Sequence, residues 1–250
     1  MDVKKYPLSY HLKEFKLRLI YILVFYVVSV GILYIYSDDL YQFLLNPLES
    51  VINKQGKSMI FTNLVEVFFS YLKLSTSAAF MLVIPIIAYN IYTFLAPGLY
   101  PDERKMLAMI TLTSPLLYWF GVLFCYYIVI PKAWEFFLSF ENHSAKIPIV
   151  LEAKVSEYLQ LVVDLAVAFG IAFQLPVILL ILTLIGVISP RTLENKRRFA
   201  IVIIFILGGI LTPPDIFSQF ALAIPMLLLY EISIKICKIV EHKRKLNVRP

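Results

Sequence analysis

Charge is scarce in this chain. Asp, Glu, Lys and Arg together make up 16% of its 250 residues, while 60% are hydrophobic and mean hydropathy is +0.80. A soluble domain of that length carries far more polar surface. Histidine is nearly absent too: His11, His143 and His242 lie in three separate polar segments. No H-E-x-x-H or G-x-S-x-G occurs, and no Ser–His or paired-Asp group can be assembled, so a hydrolase site is not indicated. Gly56-Lys57-Ser58 imitates the end of a phosphate loop, but Val51 stands where its first glycine would be. The only cysteines, Cys125 and Cys237, sit in or beside apolar segments without metal-ligand spacing. Two buried free thiols are expected, and no cofactor or metal. Alternation of the β-barrel kind is also missing.

What is present is a series of apolar runs, several long enough to cross a bilayer core of about 30 Å. The reading is an all-α membrane protein, one polytopic domain over residues 1–250. Six transmembrane helices are predicted, at about 19–36, 74–96, 106–130, 159–188, 199–211 and 216–234, followed by a basic tail over 235–250. The first run has no small-residue cleavage site after it and reads as a retained anchor. Before it, Leu12, Phe15 and Leu19 share a helical face that should lie on the bilayer surface. The fifth helix has 13 residues, about 20 Å at 1.5 Å each, so it either fails to cross or sits in a thinned bilayer. Pro85, Pro115, Pro176 and Pro225 fall inside predicted helices and should bend them.

Basic residues divide unevenly, seventeen on the side of the termini and six on the other. Lys and Arg collect in cytoplasmic loops, so both termini are expected in the cytoplasm. The net charge of +6 then needs no nucleic acid.

Between the second and third helices runs Phe94–Lys105, F-L-A-P-G-L-Y-P-D-E-R-K. Pro97, Gly98 and Pro101 end one helix, and Asp102, Glu103, Arg104 and Lys105 begin the next. It reads as a short rigid loop presenting Glu103 at a membrane face. Glu103 can also serve the helix dipole as a first-turn carboxylate, and Glu14 can pair with Arg18 four residues on. Taken together, the two carboxylates suit a ligand with two guanidinium groups, whose planar forks match carboxylate geometry. A second set is Gln174, Thr212, Asp215 and Gln219. Gln174 lies deep in a helix and reads equally as glue between helices or as a partner contact. Asp215 can cap the sixth helix, and Glu66, three residues after Asn63, can close a capping box as readily as it can bind.

These stretches also form an ordered series. His11-Leu12-x-Glu14 and Glu66-x-Phe68 precede the first two helices. Phe94-x-x-Pro97-Gly98-Leu99-Tyr100 follows, with Glu103-Arg104. Next come Phe120-Gly121-x-x-Phe124-x-Tyr126 and Phe169-Gly170-x-x-Phe173-x-x-Pro176. Thr212-Pro213-Pro214-Asp215, Gln219 and Leu229-Tyr230-Glu231 complete it. In this order and spacing the chain resembles the TatC subunit of the twin-arginine protein translocase over nearly its whole length. The resemblance implies a concave, cupped array of six helices with short fifth and sixth helices. It implies a receptor and core subunit that binds twin-arginine signal peptides of folded precursors. By motif position the signal-peptide site comprises Glu14, Phe94 and Glu103, with His11 and Leu12 beside them. TatA-type and TatB-type single-helix subunits are the implied partners, docking near the fifth and sixth helices through Thr212, Gln219 and Gln174. Glu66, Phe68, Pro97, Gly98, Tyr126, Pro214, Asp215 and Glu231 are the remaining motif positions. The chain departs from the family in Glu14-Phe15-Lys16, where Glu-Leu-Arg is usual, and in Gln174, where many members carry Glu. The implied location is a cytoplasmic (inner) membrane, with an organellar inner membrane as the other setting, and self-association is expected. The competing reading is a small-molecule secondary transporter, which would carry an internal repeat; none is seen.

Overall fold

The computed structural model describes residues 8–52, 60, 63, 65–98, 101–141, 154–212 and 215–247. Among these residues helices dominate, and the single β-bridge joins Ile60 to Lys154 in parallel. In chain order the helices are α1 (Leu8–Ile35), α2 (Ser37–Ile52), α3 (Glu66–Leu95), α4 (Pro101–Phe124), α5 (Ile130–Leu138), α6 (Val155–Ala172), α7 (Leu175–Leu184), α8 (Pro190–Asn195), α9 (Arg197–Leu211) and α10 (Ile216–Asn247). A π-helical turn, Cys125–Val129, joins α4 to α5 without a break. Among the described residues five stretches are long and apolar enough to cross a membrane: Lys16–Ile35, Glu66–Gly98, Glu103–Leu138, Val155–Leu184 and Ile216–His242. The sixth predicted crossing, α9, has 15 residues and falls short of that length.

Several helices run further than hydropathy alone suggests. The amphipathic lead-in is not a separate element: α1 runs unbroken from Leu8 to Ile35, because nothing before Gly31 interrupts it. Lys73, expected outside the membrane, lies in α3, which starts at Glu66 instead of near residue 74. The expected tail continues α10 to Asn247, since no Gly or Pro stops it. Polarity ends an apolar run, but it does not end a helix whose residues are good helix formers.

The four helix-internal prolines have different outcomes. Pro85, Pro115 and Pro225 lie within continuous helices. Pro176 sits just after a real break, where Phe173 and Gln174 form a two-residue turn between α6 and α7. The chain there keeps its hydrogen bonds by tightening: Gln174 N–H donates to the Ile171 carbonyl at 3.0 Å.

The core gathers on α6, which packs against α3 and α4. Eleven of its residues are buried, from Val155 and Tyr158 to Gly170 and Ala172. Two glycines permit that closeness. A Cβ on Gly170 would stand 2.5 Å from the buried Tyr118 ring, and one on Gly121 would stand 2.7 Å from the Phe169 carbonyl oxygen. The α7 helix packs on α10, and α10 on α9. Helix α1 rests chiefly on α3 and leaves most of its side chains exposed. Helix α2 is tied down by two tyrosines. Tyr126 donates to the Phe43 carbonyl at 2.6 Å and stacks on the Phe43 ring, while Tyr158 donates to the Leu44 carbonyl. Cys125 and Cys237 are buried free thiols.

Candidate functional site

At the face that carries the N-terminus of α1, α3 ends in a single 3-10 turn, Ala96–Gly98. Ala96 and Leu107 are buried and anchor the turn, while Phe94, Pro97 and Gly98 remain exposed. Glu103 lies in the first turn of α4, partly buried, where a carboxylate favours the positive end of the helix dipole. Arg104 Nε reaches the Tyr92 hydroxyl at 3.4 Å, linking the two sides of the loop.

One long-range contact locates α1 against this loop. Arg18 Nη1 donates to the Asn90 carbonyl of α3 at 3.4 Å. Glu14 is one turn before Arg18, and Phe94 is one turn after Asn90. The two helices run in opposite directions, so both steps lead to the same face. The backbone therefore carries Glu14, Phe94 and Glu103 to one end of the bundle. The side chains of His11, Leu12 and Glu14 lie outside the described residues, and so does the expected Glu14–Arg18 pair.

At the opposite face Glu66 joins two helix starts. Its Oε2 accepts from Asn63 N–H at 3.2 Å, the reach-back half of a capping box. Its Oε1 accepts from the Ser156 hydroxyl at 2.6 Å, at the start of α6. Phe68 is exposed and meets Tyr34 edge-on at 6.1 Å between ring centroids.

Gln174 is spent within the chain. Its Oε1 accepts from the Ser114 hydroxyl at 2.7 Å, and its Nε2 donates to the Ser114 carbonyl at 2.8 Å. The amide thus bridges the α6–α7 break to α4. Thr212, buried at the end of α9, donates to the Gly208 carbonyl at 2.9 Å. Gln219 donates through Nε2 to the Phe205 carbonyl of α9 at 3.0 Å. Asp215 caps α10, its Oδ1 accepting from Ser218 N–H at 2.7 Å. Pro214 lies outside the described residues. Glu231 holds the start of α9 through a two-point contact with Arg197, at 2.8 and 3.0 Å. Nearby, Lys238 stands 2.6 Å from Glu194, and that hydrogen bond holds the Glu194 carboxyl below its ordinary range.

A pair that the sequence reading missed lies within the spans. Lys73 of α3 meets Asp164 of α6 at 3.0 Å. Half of the signal was present: Asp164 lies inside a predicted span and calls for a partner, but Lys73 falls just outside one. Their 91-residue separation hid the pairing. Among the described residues no group of His, Cys, Asp or Glu could hold a metal ion.

Long apolar helices packed into one bundle, with most charged groups at its two ends and the polar groups between them bonded inside the chain, define a multi-pass integral membrane protein. Comparison narrows the class. The family model for the Sec-independent protein translocase protein (TatC) matches residues 10–225. The chain is 51% identical over 247 residues to the Sec-independent protein translocase protein TatC of Rickettsia prowazekii, covering 99% of this chain and 98% of that one. It is 35% identical over 228 residues to the same-named protein of Escherichia coli strain K12, covering 91% and 86%. A crystal structure described as the twin arginine translocase receptor TatC superposes with a TM-score of 0.79 at 34% identity, over 92% of this chain and 99% of that one. The chain belongs to the TatC family of Sec-independent protein translocase components, which are membrane receptors and not enzymes.

Proposed function

We propose that this chain is the receptor subunit of a twin-arginine translocase in a bacterial inner membrane, with both termini in the cytoplasm. Glu14, Phe94 and Glu103 receive the signal peptide. The observation that carries this reading is the Arg18–Asn90 contact, which leads Glu14 and Phe94 to one face beside Glu103. Each carboxylate takes one guanidinium, and the exposed Phe94 ring offers an apolar or cation–π surface between them. A hydrogen bond to a charged group contributes roughly 1.5–3 kcal/mol, less where water competes. Loss of one carboxylate should therefore weaken precursor binding by about tenfold, or about 1.4 kcal/mol. Site-specific crosslinking of a twin-arginine signal peptide to Glu103→Gln and Glu14→Gln variants tests this. Unchanged crosslinking in both variants, with the protein folded, removes the site.

TatA-type and TatB-type helices dock along α9 and the start of α10. The support is a face of exposed Val202, Ile203, Ile206 and Ile210 leading to Gln219. Gln219 uses Nε2 inside the chain, and among the described residues its Oε1 has no donor. A polar side chain on a partner helix can supply one, at a modest value of about 0.6 kcal/mol. Crosslinking from Gln219, with and without precursor, is the check. Absence of any partner adduct in both states, with adducts from α1, would misplace the surface. For the topology, cysteines replacing Lys57 and Lys146 should react with an impermeant external reagent, and those replacing Arg104 and Lys196 should not.

A further inference from the structure

Charge within a membrane span is stable only where protein or water surrounds it. Lys73 stands seven residues into the Glu66–Gly98 span and Asp164 nine residues into Val155–Leu184. At about 1.5 Å per residue, these are depths of about 10 and 14 Å from the helix starts at the far face, the one opposite the α1 N-terminus. The ammonium is 3.0 Å from Oδ1 and 3.2 Å from Oδ2, yet the two side chains remain 42% and 43% exposed. The protein does not enclose them.

Asp164 forms part of the wall of a cleft of about 740 Å³ between α6 and the far end of α9, with Ser77, Gln160, Ile171, Ile210 and Thr212 also on its wall. Lys73 lines an adjoining recess of about 210 Å³, and Gln160 lines both. Glu157, Gln160 and Asp164 recur at helical spacing and make one polar stripe down α6. Because α9 is only 15 residues long, its end at Ile210–Thr212 shares this cleft with residues well inside α6. The outer part of the wall, with Ser77, Glu157, Gln160 and Asp164, is polar, and acyl chains cannot hydrogen-bond to it; the deeper part, with Val167, Ala168, Ile171, Ile210 and Leu211, is apolar. Water can hydrogen-bond to the outer part, and at about 30 Å³ per molecule the space holds on the order of twenty.

We propose that the Lys73–Asp164 pair keeps open a water-filled cleft that enters the membrane from the far face and reaches Ile171. The apolar barrier beside α9 is then confined to the part of the bundle between Ile171 and the near face. This shortens the distance over which a polar segment must be shielded during transport. The cleft is independent of the signal-peptide site, which lies at the other end of the bundle.

The test uses the full chain in native membranes. Cys125 and Cys237 are buried, so the parent chain is the blank. Single Gln160→Cys, Val167→Cys and Ile171→Cys variants probe the cleft at increasing depth. Lys132→Cys is the exposed reference and Leu82→Cys the lipid-facing control. A charged, impermeant maleimide is added from each side in turn. A thiol in hydrocarbon stays protonated and reacts on the order of a hundredfold more slowly. All three cleft positions should label from the side that labels Lys132→Cys, within roughly tenfold of its rate, and Leu82→Cys should not. In a Lys73→Met, Asp164→Leu background, labelling at Ile171→Cys should drop at least about tenfold, while a Lys73→Asp, Asp164→Lys exchange should restore it. Failure of Val167→Cys and Ile171→Cys to label in the parent would show lipid or a partner helix filling the cleft and overturn the proposal. Labelling unchanged by the apolar pair would overturn the role of the charges. If the apolar pair does not fold, the parent series still decides whether water is present, and the exchanged pair decides the role of the charges.

Discussion

Helices α6 and α1 are both apolar, yet they live in different solvents. In the most apolar window of Val155–Leu184, 56% of residues are buried by protein; for Lys16–Ile35 the share is 6%. Lipid is as apolar as leucine, so hydropathy does not drive helices together in a membrane; close packing does. The α6 helix offers Ala166, Ala168, Gly170 and Ala172 to its neighbours, all buried. In α1 the bulk of Leu, Val, Tyr and Phe surrounds the helix, and Ser29 is its buried polar residue. Small side chains made the difference, and they made α6 the element to which α3 and α4 are fitted.

The contrast is sharpest at glycine. Gly170→Leu should abolish accumulation of folded protein, because the new side chain would enter the Tyr118 ring, and Gly121→Val should do nearly as much against a backbone oxygen. Overpacking costs about 1–3 kcal/mol even where neighbours can shift, and here they cannot. Gly31→Ala on α1 meets nothing within 4 Å, and its effect should be neutral or stabilising by at most about 1 kcal/mol. The amount of folded protein recovered from membranes measures all three, and thermal melting in detergent measures whichever variants accumulate. Equal losses for Gly31→Ala and Gly170→Leu would end the distinction.

A smaller effect is expected at the break in the α6–α7 segment. Gln174→Leu removes both bonds to Ser114 and should cost about 1 kcal/mol, within the modest range found for hydrogen bonds in membranes. A double-mutant cycle with Ser114→Ala should recover a coupling of about 0.5 kcal/mol or more. Additive effects would mean that the hydroxyl half of the bridge contributes nothing, since Ser114→Ala leaves the carbonyl bond in place. Signal-peptide binding should be unaffected by these changes.

The smallest effect is electrostatic. Hydrogen bonding from Lys238 lowers the Glu194 pKa below its ordinary value of 4.5. A lowered carboxylate contributes stability above its unfolded pKa and loses it as pH falls through the folded value. Lys238→Ala should move the Glu194 midpoint up toward 4.5, read by carboxyl NMR, and leave melting at pH 7 unchanged because the pair is exposed. An unmoved midpoint would remove the contact from the account.

Much of this was legible before any coordinates. The apolar runs announced the membrane, and Glu66 three residues after Asn63 offered a cap as one of two readings; the structure shows the reach-back bond and adds a contact to Ser156. Asp215 after two prolines offered a cap for the last helix, and its carboxylate accepts from Ser218 N–H at the start of α10. Helix ends were less legible: α10 outlasts its apolar stretch because a polar sequence of good helix formers carries no stop signal. The choice left open at Gln174, glue or partner contact, depended on whether Ser114 lay within reach, 60 residues away.

By itself, then, the sequence determined the class of solvent, the long apolar segments and the ordered motifs that mark the family, because each depends on neighbours within a few residues, whereas α2, α8 and the break between α6 and α7 were not read from it. Only the tertiary structure decided which faces meet protein and which meet lipid. It alone paired Lys73 with Asp164, turned Gln219 toward Phe205 and brought Glu14's turn of α1 to the end of α3. Those outcomes depend on distances between helices far apart in the chain, set by where small residues let backbones approach, and no local period encodes them.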